Sequence, residues 1–336
     1  MTAPETMVEV WRGGLLESWH AGHGAVCDAA GQVVQAWGDP GAVIFPRSSC
    51  KMLQALPLVE SGAAAAAGLD SRRLALACAS HQGAALHVAA VQGWLADLGL
   101  GERDLRCGPE ASRDTDLKLA MIRANEAPCQ VHNNCSGKHA GFLTLTQHLK
   151  AGPEYVDLAH PVQQAVCAAI EEVTGVDSPG YGIDGCSAPN FATTVQGLAH
   201  AMARFAVAGQ GSGARDRAMT ALRDAMLEHP ELVAGQGRAC TELMRAMGGR
   251  VAIKTGAEAV FVAMIPDLGL GVAIKIVDGA TRASECAIAA ILVALGVLDP
   301  AHPATRRRLG AVIENRAGLA VGSIDRARGF CEGRLV

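Results

Sequence analysis

The stretch FPRSSCKMLQAL, residues 45–56, places two nucleophiles, Ser48 and Cys50, and an amine, Lys51, in the opening turn of a predicted helix. A spacing of three puts Ser48 and Lys51 on one face with adjacent side chains, whereas Cys50 points away from both and reads as packing. A serine in a first helical turn also lies beside backbone N–H groups without intrahelical acceptors, which favour developing negative charge. The chemistry that fits is acyl transfer, with the serine as nucleophile and the lysine as its base. A lysine base must be neutral: bringing its pKa from ~10.4 to ~7 disfavours the ammonium by roughly 4.6 kcal/mol, for which burial and a second cation are the usual means. Taken alone, S-x-x-K is a common spacing and describes a capping serine before a surface lysine equally well.

Lysine usage sharpens this. Only Lys51, Lys118, Lys138, Lys150, Lys254 and Lys275 stand against a total of 29 basic residues, so arginine is the default cation and a lysine marks a site that needs an amine able to lose its proton. Lys254, in KTG at 254–256, falls at the end of a strand predicted to edge a sheet. S-x-x-K before a helical insertion, with K-T-G on a late strand, is the order found in serine β-lactamases and penicillin-binding proteins. Their middle S-D-N element has no counterpart here. Ser80, in ASHQG, stands in its place, either as a second functional hydroxyl or as a serine that merely ends a helix.

Two polar, glycine-rich loops, NNCSGKHAG and GIDGCSAPN, are each expected to open a helix. Cys135 and Lys138 are three residues apart and share a face, and Cys186 follows Asp184 by two. A thiolate beside an ammonium has a depressed pKa. The same residue types could hold a soft divalent metal, although lysine must deprotonate to do so; buried structural cysteines are the alternative. His139 borders this group and suits a carboxylate. SGKHAG lacks a phosphate loop's pattern, because His132 and His139 occupy the positions that require glycine and serine or threonine.

Several elements must position these residues. Extended segments (MVEVWRGG, GAVCDAAG, QVVQAW) open the chain, with DAAG as a hairpin turn, and three β-rich runs (RVAIKTG, EAVFVAMI, GVAIKIV) precede an apolar helix from about 280 to 295. Between them the pattern is helical, in segments closed by glycine or proline, and GQGSG at 209–213 reads as a linker. The simplest assembly is α+β: N- and C-terminal strands in one antiparallel sheet, covered by helices. It is a single composite domain over 1–336, with the sheet part at about 1–55 and 240–300 and the helical insertion at about 56–239.

Half of the residues are apolar and 18% are charged, with a net charge of −4. This is a globular composition with no general positive field for nucleic acid or an anionic membrane. The longest apolar run, 287–298, is about half the ~20 residues of a spanning helix. MTAPETMVEVWRGG lacks the pattern of a secretory signal, so a cytoplasmic protein with a small-molecule partner is expected. Eleven scattered cysteines without a CxxC pair read as reduced thiols.

Together, PRSSCKMLQALPLVESG, CASHQG, NNCSGKHAGFL, GIDGCSAPNF, CTELMRA and KTGAE resemble the asparaginase II family, the class 3 or rhizobial-type L-asparaginases, over about residues 40–285. The resemblance implies a serine β-lactamase/glutaminase-like fold, a homodimer, and hydrolysis of L-asparagine to L-aspartate and ammonia. It casts Ser48 as nucleophile with Lys51 as base, pairs Ser80 with Lys254, and places Zn2+ on Cys135, Lys138 and Cys186 with Asp184 alongside. It sets Cys240 near the substrate, with Arg47 and His139 as candidates for the substrate carboxylates. Three rivals remain: a glutaminase, whose substrate is one methylene longer, a β-lactamase or DD-peptidase-like hydrolase, and a non-catalytic zinc-stabilised protein.

Overall fold

The computed structural model describes residues 2–335, which divide into a sheet unit (2–44, Thr193–Val207, 242–335) and a helical unit (Phe45–Ala192, Ala208–Thr241).

In the sheet unit the main sheet of the described residues has eight strands: β1 (Glu5–Arg12), β2 (Leu15–Asp28), β3 (Val33–Trp37), β4 (Ala252–Thr255), β5 (Val260–Ile265), β6 (Leu270–Ile276), β7 (Ala311–Glu314) and β8 (Ala320–Arg326). Their order is β7-β8-β1-β2-β6-β5-β4, with every pairing antiparallel. The long β2 pairs with β1 along its first half and with β3 along its second, so DAAG is the expected hairpin turn. N- and C-terminal strands thus share one antiparallel sheet in an α+β architecture, with β4 at its edge as KTG predicted. The chain after residue 300 returns to this sheet, where β8 pairs with β1.

β5, VFVAMI, is buried at every position, the signature of a strand covered on both faces. One cover is the helix Val195–Val207. It lies so close over β6 that a Cβ at Gly271 would stand 2.1 Å from Ala203 N and 2.2 Å from Ala199 O, so only glycine fits there. The apolar helix expected near 280–295 is present as Thr281–Ala294.

The helical unit is built around Ser136–His148, which is buried from Ser136 through Thr146. Its N-terminal end rests on the helix Ser71–Ala77 at Gly137, where a Cβ would meet Leu76 O at 2.4 Å. Proline interrupts the longer helical patterns. The stretch predicted as one helix after residue 50 is divided into Lys51–Gln54 and Leu56–Glu60, because Pro57 lacks an N–H for the residue 53 carbonyl and its ring crowds it. Pro230 similarly starts a new turn after Ala214–Glu228.

Of the two loops expected to open helices, only NNCSGKHAG does. GIDGCSAPN is instead the turn of a hairpin between Tyr181–Ile183 and Pro189–Phe191. The aromatic and β-branched residues flanking it favour extended backbone, and Ser187 at φ 69° closes the turn. No helix among the described residues is long and apolar enough to cross a membrane.

Candidate active site

Ser48 sits in a 3-10 turn, Arg47–Cys50, that runs directly into Lys51–Gln54. Arg47 has φ 51°, a left-handed conformation that a non-glycine residue holds only when its surroundings enforce it. Those surroundings are the hairpin. Arg47 N–H donates to Asn190 Oδ1 (3.3 Å), and the guanidinium grips Asp184 Oδ1 through Nε (3.1 Å) and Nη2 (2.8 Å). Inside the turn, Ser49 Oγ donates to Pro46 O (2.6 Å) and Cys50 Sγ to Arg47 O (3.1 Å). Burial pushes the Cys50 thiol up to about 12, which makes it an inert packing residue beside the half-buried Ser48.

Lys51 is 1% exposed, and its amine donates to Ala79 O (2.5 Å) and Asn134 O (3.4 Å). The first acceptor precedes Ser80 in sequence and the second precedes Cys135, so a single side chain joins the two loops. Ser80 itself lies in a stretch held by Ser80 N–H to Val233 O (2.9 Å), His81 N–H to Asn134 O (3.2 Å) and Gln82 N–H to Ala234 O (3.0 Å).

Cys135, Lys138 and Cys186 converge. Lys138 Nζ donates to Cys186 Sγ at 3.2 Å, and Cys135 Sγ donates to Asn134 Oδ1 at 3.2 Å. The neighbouring Cys135, opposed by burial and reinforced by the Lys138 charge, holds Cys186 well below a normal thiol, while Cys186 and burial push Cys135 up. Burial works against the Lys138 ammonium, but the two sulfurs outweigh it and its pKa is raised. Asp184 completes the group: burial opposes its charge, yet Lys138, then Arg47 and the Gly185 N–H, hold it below the usual carboxylate range.

His139 is wholly buried. Tyr155 OH accepts from Arg106 N–H (2.7 Å) and faces His139 Nδ1 (2.9 Å), and Nε2 finds no hydrogen-bond partner among the described residues. Burial, then the Lys138 charge, drives its pKa well below that of free histidine. Cys240 is buried in the first turn of the helix Ala239–Ala246. Lys254 belongs to the sheet unit, where it is 1% exposed on β4 and donates to Thr255 O (2.7 Å).

The donor types of Cys135, Lys138 and Cys186, two sulfurs and one amine, are ones that would suit a thiophilic divalent cation such as zinc, which would supply positive charge there. Binding would require Lys138 to lose its proton. Among the described residues no three His, Cys, Asp or Glu side chains assemble as a metal group, so the fit depends on the amine.

Sequence reasoning did not single out Asn134, Asn190, Tyr155 or Glu110. Asn134 and Asn190 lie inside the quoted motifs, and Tyr155 is one of only two tyrosines, but nothing in their spacing signals a role.

Lys51 is thus buried three positions after Ser48, and Lys138, Cys186 and Asp184 form a polar cluster in the same unit. The profile of the L-asparaginase II family matches residues 8–326, and the chain belongs to that family. The match extends beyond the motif-bearing part at both ends and takes in β8.

Similar solved structures include Mglu in its native form (14% identity, TM-score 0.41, covering 84% of this chain and 66% of that one). A class C β-lactamase from Rhodobacter sphaeroides (14%, TM-score 0.39, covering 86% and 95%) and a β-lactamase from Mycobacterium bovis (13%, TM-score 0.35, covering 81% and 94%) are also similar. The chain thus spans slightly under two thirds of the Mglu structure's length. The family match, and not these likenesses, carries the assignment. No curated protein matches the sequence.

Proposed function

We propose that the chain is an L-asparagine amidohydrolase that releases ammonia and aspartate through an acyl-enzyme on Ser48. The reading is supported by family membership and carried by one observation: Lys51 is buried one helical step from Ser48, and its amine is held against the loop that bears Ser80. Ser48 Oγ attacks the side-chain amide carbon while the Lys51 amine takes the hydroxyl proton. Main-chain N–H groups of the first turn receive the oxyanion. Lys51 returns the proton to the leaving nitrogen, ammonia departs, and water attacks the ester to free aspartate and restore Ser48.

Arg47, fixed by Asp184, and the Nε2–H of His139 are the proposed donors to the substrate carboxylates, with Cys240 nearby. Cys135, Lys138 and Cys186 would hold zinc, whose charge would orient the bound amino acid. The same reading carries a cytoplasmic homodimer.

Ammonia release from asparagine and from glutamine, measured side by side with elemental analysis of the purified protein, tests this. The expected result is turnover of asparagine above glutamine, a difference of one methylene that a pocket converts into about 1–3 kcal/mol, and about one zinc per chain. Failure on both amides together with hydrolysis of a chromogenic cephalosporin would overturn it.

A further inference from the structure

Residues 107–114, CGPEASRD, have no regular secondary structure, yet they clamp both loops of the candidate site. On the Ser80 side, Arg113 N–H and Asp114 N–H donate to Gln82 O (2.8 and 3.2 Å), Ser112 Oγ donates to Gly83 O (3.0 Å), and Gln82 Nε2 donates to Asp114 Oδ2 (3.0 Å). On the other side, Asn133 Nδ2 donates to Cys107 O (2.9 Å) and Gly108 O (3.0 Å).

Glu110 is central to this clamp. Its Oε2 accepts from both Asn134 N–H (2.9 Å) and Asn134 Nδ2 (2.6 Å), and its Oε1 accepts from Arg113 Nε (3.1 Å) and Nη2 (2.7 Å). With both oxygens engaged, Glu110 is not a substrate contact. Its effect is on Asn134: a carboxylate facing the side-chain amide admits only the NH2, so Oδ1 must point the other way. That Oδ1 accepts from Cys135 Sγ (3.2 Å), and the main-chain oxygen of the same residue accepts from Lys51 Nζ (3.4 Å) and His81 N–H (3.2 Å).

We propose that Glu110 is a positioning residue: by fixing Asn134 it aligns the Lys51 amine and the Cys135 thiol with each other. The inference rests on the assignment of Ser48 and Lys51 as the reacting pair. A carboxamide has one acceptor oxygen, so a glutamine at 110 can serve Asn134 or Arg113 but not both, whereas removing Arg113 frees that oxygen for Asn134.

The test compares Glu110→Gln with Glu110→Gln/Arg113→Ala. In the single variant kcat should fall about 10–100-fold, with KM within about 3-fold, as for loss of an outer-shell partner. Amide hydrogen exchange at residue 134 should accelerate about 10-fold or more, and the double variant should recover most of both losses. Wild-type kcat and exchange in Glu110→Gln would overturn the proposal, as would a double variant more impaired than the single one. Exchange at residue 134 is read without substrate. A wild-type protein inactive on both amides would therefore contradict the substrate reading, while exchange would still decide the role of Glu110.

Discussion

Lys51 Nζ donates to the carbonyl oxygen of Ala79 at 2.5 Å, which ties the helix following Ser48 to the residue that precedes Ser80. Because Lys51 is buried, this bond does not compete with water, and the amine has a defined place.

Two substitutions separate charge from base at this position. Lys51→Arg keeps a cation but removes the group that can lose its proton, and kcat should fall by about 100-fold or more at neutral pH. Lys51→Met should lose at least as much activity and also destabilise the fold by about 1–3 kcal/mol, since the carbonyls of Ala79 and Asn134 lose a buried donor. Steady-state kinetics and urea unfolding check both, and wild-type kcat in Lys51→Arg would make Lys51 structural.

The Lys138–Cys186 contact predicts a fold that survives loss of metal, because the amine and the sulfur satisfy each other at 3.2 Å. A chelator should strip zinc and lower activity while leaving the circular dichroism spectrum unchanged. Cys186→Ser should weaken zinc binding by about 100-fold or more, measured by competition with a chromophoric chelator. Unfolding on chelation would instead favour a purely structural metal.

A third prediction concerns acid. His81 and His87 are buried, stacked 4.8 Å apart, and both held below the ordinary histidine value, chiefly by burial and, for His81, next by its neighbour His87. The unfolded chain therefore binds protons that the folded chain does not, so stability rises with pH in this window and is lost as pH falls through the unfolded value of ~6.5. Each imidazole contributes a slope of up to about 1.4 kcal/mol per pH unit. Melting temperature should drop between about pH 7.5 and 5.5. A flat or rising profile would contradict the neutral, buried assignment.

What was legible in the sequence was whatever lies close together along the chain. Ser48 with Lys51, and Cys135 with Lys138, follow from a spacing of three, and the edge strand bearing Lys254 follows from its β-rich run and turn. Glu110 and Asn134 were illegible because their partnership spans 24 residues and no periodicity announces it. The glycines and Asp184 of GIDGCSAPN suit a helix opening and a hairpin turn equally, and only the pairing of Tyr181 with Phe191 decides for the hairpin. β7 and β8 were missed for a related reason: their exposed and half-buried positions lack the apolar runs that marked β5 and β6.

Ammonia release by Ser48→Ala is the most direct test of the acyl-enzyme. The hydroxyl is half-buried and outside the core, so the variant should fold with a melting temperature within about 2 °C of the wild type, as substitutions away from packed features do. The account predicts no detectable ammonia from asparagine. Turnover at the wild-type rate in a folded Ser48→Ala protein would contradict it.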